Sequence, residues 1–477
     1  MKKIISITAA LVLCLSALVG CMNQSPSSGA AGSTAADAAV TEPAGTETEP
    51  TATEKETETE EQTAPDTDAK TEEETEAETS AEVVTDAPAP PAEYNFNDFD
   101  ADLMDYVASK VDGNFMISPL SFKYALGMLI AGADGNTLTE LMAAVGMRDM
   151  SELEEQIKDF NHFTEGFAAN FEQELSDYRE GVKKGWYNKD DPEPVRALRV
   201  ADSVWKNSDI AEDFKDDYKL HLEMYDAEYR NFDLDSVIKE VNKWADEKTE
   251  GMIPRLLPDD YDTTYLAVIL MNALYFKDDW AVEFSECVPF EDDFTTSDGA
   301  TVKKTYMIKP VYCRYYKDDV TELAVIPMKG NIEMVFVLGD TNGIAEKIKK
   351  AENRKVLVTI PAFETETTLD KRELCDFLAA RGVKDVFSIE KADLSKMIDI
   401  DNLYVSDIVQ KTKIKLDKNG VEAAAVTAIM INDYGIEQTD NLPVFTADKA
   451  FSYYIMTGES EWSNSSGTVL FEGKLVK

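Results

Sequence analysis

Ser121 to Ile130 is almost wholly apolar, with Lys123 the exception, which predicts a helix buried on most of its sides. Thr137-Leu138-Thr139-Glu140 opens a second amphipathic stretch with the spacing of a capping box. Strand-like runs come later: Leu266 to Phe276, Leu323 to Pro327, Glu333 to Leu338 and Lys355 to Ile360. Leu369 to Arg381 reads as a helix that Gly382 ends in a left-handed stop. Tyr178 to Pro194 is polar and turn-rich, the pattern of a surface insertion. Helical patterns dominate the first third and strands the rest, without βαβ alternation and without an internal repeat. The class is therefore α+β.

One stretch fits two states. From Gly420 to Gly435 the strand period puts Val421, Ala423, Ala425, Thr427, Ile429 and Ile431 on one face. Glu422, Ala424, Val426, Ala428, Met430 and Asn432 fall on the other. The first face could be buried along its length. Yet the polar run from Tyr434 to Asn441 belongs to an exposed loop. A segment written as a buried strand beside a loop suggests that both placements are open to it.

The first 93 residues follow no apolar period that a fold could use. Lys2 and Lys3 precede an apolar run, Ile4 to Val19, which ends in Leu18-Val19-Gly20-Cys21. A charged start, a short apolar core and small residues before a cut describe an export signal over residues 1–20. The box resembles that of bacterial lipoproteins, in which Cys21 would carry lipid and anchor the chain to the membrane, on its extracellular face. Residues 21–93 then consist mostly of Thr, Glu, Ala, Ser, Asp and Pro, with only Lys55 and Lys70 against many acids. Such a stretch cannot bury enough apolar surface to offset its ordering entropy. As a coil of about seventy residues it would span ~45 Å, the reach of a tether. The folded domain is expected over residues 94–477.

A net charge of −45 excludes nucleic acid as a partner, because phosphates would be repelled. Of five cysteines, Cys14 leaves with the signal and Cys21 is lipidated. Cys287, Cys313 and Cys375 remain, too scattered for a disulfide framework, and read as buried small hydrophobes. Catalytic chemistry finds little support. The only histidines, His162 and His221, lie near no nucleophile pattern, and no phosphate loop, metalloprotease helix or paired-cysteine motif occurs. Asp399-Ile400-Asp401-Asn402 lacks the Gly and closing Glu of a calcium loop and reads as a solvated turn. No enzyme, no cofactor and no metal are expected.

Five motifs stand in order along the domain. They are Asn114-Phe115-Met116-Ile117-Ser118-Pro119-Leu120-Ser121 with Ala131-Gly132-Ala133-Asp134-Gly135-Asn136-Thr137, then Asn242-Lys243-Trp244 with Thr249-Glu250-Gly251-Met252-Ile253. Asn272-Ala273-Leu274-Tyr275-Phe276-Lys277 with Trp280 and Phe284 follows. Phe445-Thr446-Ala447-Asp448-Lys449-Ala450-Phe451 and Gly467-Thr468-Val469-Leu470-Phe471-Glu472-Gly473 close the series. Together with the two-state stretch, they resemble the serpin family. The resemblance implies helices packed on three β-sheets and an exposed reactive loop able to insert into the main sheet. It implies a suicide-substrate inhibitor of serine proteases, and in some members of cysteine proteases. A target cuts the loop, the loop inserts, and the acyl-enzyme is trapped.

By the same resemblance the hinge is Gly420, Val421, Glu422, Ala423, Ala424, Ala425, Val426 and Thr427. Counting as the family does puts the reactive bond at Tyr434-Gly435, which suits a chymotrypsin- or cathepsin G-like enzyme. Met430 or Ile431 would suit an elastase-like one. Ser118, Ser121, Asn272, Trp280 and Gln410 match the gate that opens the sheet. Gln410 replaces the usual His there, Lys418 stands where Glu is favoured, and Ala450 replaces a common Pro. A monomer is expected. The rival expectation is a non-inhibitory member serving as a surface binding module.

Overall fold

The structure, a computed structural model, describes residues 99–188, 193–281, 284, 287–369, 372–421, 442–458 and 467–477. Four helices open the described chain. They are α1 (Phe99–Lys110), α2 (Pro119–Gly132), α3 (Gly135–Val145) and α4 (Met150–Lys184), with the short strand β1 (Phe115–Ile117) before α2. Helix α2 starts where Ser118 caps it and Pro119 occupies its first turn, a position whose missing N–H costs nothing. It is buried on nearly every side, as its composition predicts. Phe122, Leu126, Met128 and Ile130 enter the largest core, each contributing about 1.5–3 kcal/mol.

Two sheets form the rest. In the six-stranded sheet the order is β10 (Phe363–Leu369), β11 (Gln410–Leu416), β12 (Gly420–Val421), β4 (Val268–Asp279), β2 (Ala197–Asn207) and β3 (Glu228–Phe232). The second sheet has nine strands. Its path is β1, β15 (Val469–Leu475), β14 (Phe451–Thr457), β8 (Ile332–Gly339), β7 (Thr321–Pro327), β6 (Thr301–Lys317), β9 (Glu352–Pro361) and β13 (Val444–Thr446). β5 (Phe290–Thr295) pairs with β6 off that path. Helices α5 (Asp216–Met224), α6 (Val237–Lys248), α7 (Ile344–Lys350) and α8 (Glu373–Ala380) lie between the strands in sequence.

Three local expectations need correction. Helix α3 starts at Gly135 with Asp134 as its cap, not at Thr137. Thr137 and Glu140 serve tertiary contacts instead: Thr137 Oγ1 accepts from the Asp393 N–H, and Glu140 accepts from the Lys384 and Asp385 amides. Leu369 closes strand β10 as its last inward residue, so the helix begins only at Glu373. Its stop is as expected, with Gly382 at φ +99°. Tyr178 to Lys184 continues α4, and the left-handed cap is Gly185 at φ +74°. That helix buries one stripe, Leu153, Ile157, Phe160, Phe163 and Phe167, and its polar remainder is what resembled a loop.

Candidate functional site

β12 is two residues long, and it sits between β4 and β11. Val421 pairs with Leu416 on one side and Asp278 on the other, and Gly420 pairs with Asp279. A tight turn delivers it. Asp417 Oδ1 accepts from the Asn419 N–H at 2.8 Å, and the Asp417 N–H donates to the Gly420 carbonyl at 3.0 Å. Gly420 has φ +152°, and a Cβ there would lie 2.1 Å from the Asp278 carbonyl oxygen. Only glycine fits. Trp280 holds the turn from below: its indole N–H donates to the Asp417 carbonyl and its backbone N–H to the Asn419 carbonyl, both at 3.0 Å.

Below β12 the sheet has a seam. Among the described residues β4 and β11 share no ladder of their own; Gly420 and Val421 alone bridge them. A cavity of about 10 Å³ lies against Val421, lined by Met116, Leu274, Phe276, Ile414 and Phe471 among others. Further down the seam a cavity of about 50 Å³ is walled by Leu126, Leu129, Val268, Leu270, Ile408 and Val409 among others.

Four of the five residues that the resemblance assigned to a gate meet midway along the seam. Gln410 Oε1 accepts from the Ser118 N–H at 3.1 Å, and its Nε2 donates to the Ser118 carbonyl at 2.9 Å. The amide thus ties β11 to the start of α2 through both of its functions. Ser118 Oγ donates to the Leu470 carbonyl at 2.7 Å and accepts from the Ser121 N–H at 3.1 Å. Ser121 Oγ in turn donates to Asn272 Oδ1 on β4. Trp280 stands apart from this cluster, at the top of β4. The structure therefore brings together Ser118, Ser121, Asn272 and Gln410, and puts Trp280 with Gly420 and Val421. Glu422, Ala423, Ala424, Ala425, Val426, Thr427, Tyr434, Gly435 and Cys21 lie outside the described residues.

Sequence reasoning missed a buried residue bonded to this cluster. Asn272 Nδ2 donates to Asp202 Oδ1 of β2 at 2.6 Å. Asp202 is buried, its Oδ2 has no hydrogen-bond partner, and desolvation pushes its carboxyl up to about 7 against the Asn272 bond. The signal was present: Leu198, Val200, Asp202 and Val204 share one strand face, and an acid on an apolar face is out of place. The remaining cysteines are free thiols; Cys313 and Cys375 are buried, while Cys287 is half-buried.

The geometry has relatives. A family model described as serpin (serine protease inhibitor) matches residues 94–477. The chain is 29% identical over 390 residues to the leukocyte elastase inhibitor of Equus caballus, covering 76% of this chain and 92% of that one. Among solved structures, a thermophilic serpin, tengpin, in its native state aligns with a TM-score of 0.62 at 27% identity, over 80% of this chain and 93% of that one. A highly specific serpin of the insect Tenebrio molitor shares the fold, with a TM-score of 0.61 at 24% identity over 80% of this chain and 96% of that one. With the family model matched over residues 94–477, this chain belongs to the serpin family.

Proposed function

We propose that the chain is an irreversible suicide-substrate inhibitor of serine proteases, held on a bacterial cell surface by lipid on Cys21 and the acidic tether. The observation that carries the reading is the seat of β12 between two strands that share no other ladder. Continuing its register gives each hinge residue a defined neighbourhood. Ala423 would meet Phe276 and Ile414, and Ala425 would meet Leu274 and Thr412, a small residue between larger ones in each case. Thr427 would arrive between Asn272 and Gln410, beside the gate's polar groups. Ile429 would lie between Leu270 and Ile408, which both line the larger cavity. On the outer face Glu422 would lie between Lys277 and Lys415. Size, polarity and charge of the loop sequence follow the walls of the seam.

Cleavage would release the loop from its outer end, and burying its inward face would then supply the driving force. The target contributes the acyl-enzyme chemistry; the inhibitor contributes the fall in free energy. Tyr434 before Gly435 favours chymotrypsin- or cathepsin G-like targets, and Met430 or Ile431 elastase-like ones, in line with the name that the equine relative carries. The test is a panel of such enzymes, including a papain-like cysteine protease, read on denaturing gels with the cut site sequenced. An SDS-resistant complex with the bond cut at or near Tyr434 is expected. Clean cleavage with every enzyme and no complex would leave the non-inhibitory binding module as the better reading.

A further inference from the structure

Directly behind the seat of Gly420 and Val421, a buried cation meets a buried carboxylate. Arg196, the residue before β2, has a side chain only 4% exposed, and that of Asp278 in β4 is 0% exposed. Arg196 Nε donates to Asp278 Oδ1 at 2.9 Å, and its Nη2 donates to Glu174 of α4 at 2.7 Å. The guanidinium carbon lies 5.4 Å from the Phe171 ring centre and 5.9 Å from that of Phe167, so α4 covers it with two aromatic faces. Asp278 Oδ2 accepts from the Gly330 N–H at 2.7 Å, and Oδ1 also accepts from the Asp279 N–H at 2.9 Å. Gly330 is as constrained as its partners: a Cβ would lie 2.2 Å from Phe167 and 2.9 Å from Asp278 Oδ2. Next to it, Lys329 donates its N–H to the Asp279 carbonyl at 3.0 Å and its Nζ lies 3.2 Å from Asp279 Oδ2.

A buried ion pair is a costly way to gain stability, because desolvation offsets most of the attraction. Its better-attested use is to fix one geometry. Here the geometry fixed is that of the Asp278–Asp279 peptide, held through its side chains by α4, by the segment before β2 and by the turn between β7 and β8. That same peptide is what β12 pairs with, and its carbonyl is what Gly420 packs against without room for a Cβ. Burial pushes the Asp278 carboxyl above its ordinary range, and Arg196 and the Gly330 N–H oppose that rise.

We propose that Arg196 and Asp278 are positioning residues for the first step of loop insertion, holding the end of β4 in the one place where the hinge can dock. The inference rests on the inhibitory reading above. A trap succeeds only if insertion is faster than deacylation, so a loosened seat turns an inhibitor into a substrate while leaving the encounter with the protease unchanged. This separates it from a merely structural role, which would move stability and encounter alike.

The experiment compares the parent chain with an Arg196→Met/Asp278→Asn double variant, which removes both charges and so leaves neither one buried alone. Each is titrated with a protease that the parent traps, scoring complex against cleaved and released inhibitor, and the association rate is measured separately. Insertion is also timed after a non-target nick, from the rate at which the stabilised form appears. The expected result is a several-fold rise in inhibitor consumed per enzyme trapped and a slower insertion, with an unchanged association rate; Arg196→Lys, which keeps a cation, recovers part of the loss. Partition and insertion rate equal to the parent's overturn the proposal. Should the double variant fail to fold, Glu174→Ala removes the acceptor that α4 offers the guanidinium and leaves the pair in place. It should shift partition the same way by less, and parent-like partition there also overturns the proposal. A parent that neither traps nor gains stability on nicking removes the inhibitory reading itself, and the inference with it.

Discussion

Asp202 puts a titratable group beside the cluster of Ser118, Ser121, Asn272 and Gln410. In the folded chain its carboxyl sits at about 7, raised by burial, against an ordinary value of 3.8. Tyr124 of α2 and Tyr225, with Asp226, face it from the neighbouring elements, and Asn272 supplies its hydrogen bond. Between those two values the folded chain keeps a proton that the unfolded chain has lost. Stability from this group is therefore full at low pH and declines as pH rises toward 7. Asp202→Asn keeps an acceptor for Asn272 and removes the charge. Its melting temperature should gain on the parent's as pH rises, by roughly 1–3 kcal/mol in stability between about pH 5 and about pH 8. A difference between variant and parent that does not change with pH would contradict the assignment. Gln410 makes the opposite point. As a replacement for the family's His it looked like a loss, yet it makes two bonds to Ser118 that carry no pH dependence of their own.

Elements with strong periods were legible in the sequence. Strands β4, β7, β8 and β9 fall where apolar β-branched runs predict them; β7, β8 and β9 extend beyond their runs, and β4 starts and ends a few residues later than its run. Helix α2 was legible because its surface is almost wholly apolar, with Lys123 the exception. What escaped was set by partners distant in sequence. The capping-box residues of α3 bond to Asp393, Lys384 and Asp385, and β4 runs on through Asp278 because Arg196 and Gly330 satisfy its carboxylate. Of the candidate site, the family motifs singled out Gly420, Val421, Trp280 and the cluster of Ser118, Ser121, Asn272 and Gln410. Arg196 and Asp278 escaped, since charge pairing across a fold leaves no local pattern, whereas Asp202 was signalled by an acid on an apolar strand face. The seat of β12 yields its own prediction. Val421 is 4% exposed, directly above an apolar cavity, and leads the inward face. Val421→Arg would force an unpaired guanidinium into that space, opposing docking by several kcal/mol. The variant should be cleaved by the target and released, measured as complex against free cleaved inhibitor. Trapping as full as the parent's would show that Val421 does not lead insertion.

At the scale of the whole chain, an acidic domain and an acidic tether put net charge −45 on one protein. Among the described residues no helix is long and apolar enough to cross a membrane. In the proposed arrangement attachment is through Cys21. Cys21→Ser should move the protein from the membrane fraction to the medium, and an unchanged partition would remove the anchor from the account. The domain's central property is the seam between β4 and β11, held open at one end by two residues of the chain that would fill it. Its most direct test is the melting temperature of the purified domain before and after a non-target protease nicks the loop once. Insertion of a new central strand predicts a rise of tens of degrees, on the order expected from many added core contacts. A cleanly nicked chain that melts at or below the temperature of the intact one would contradict strand insertion.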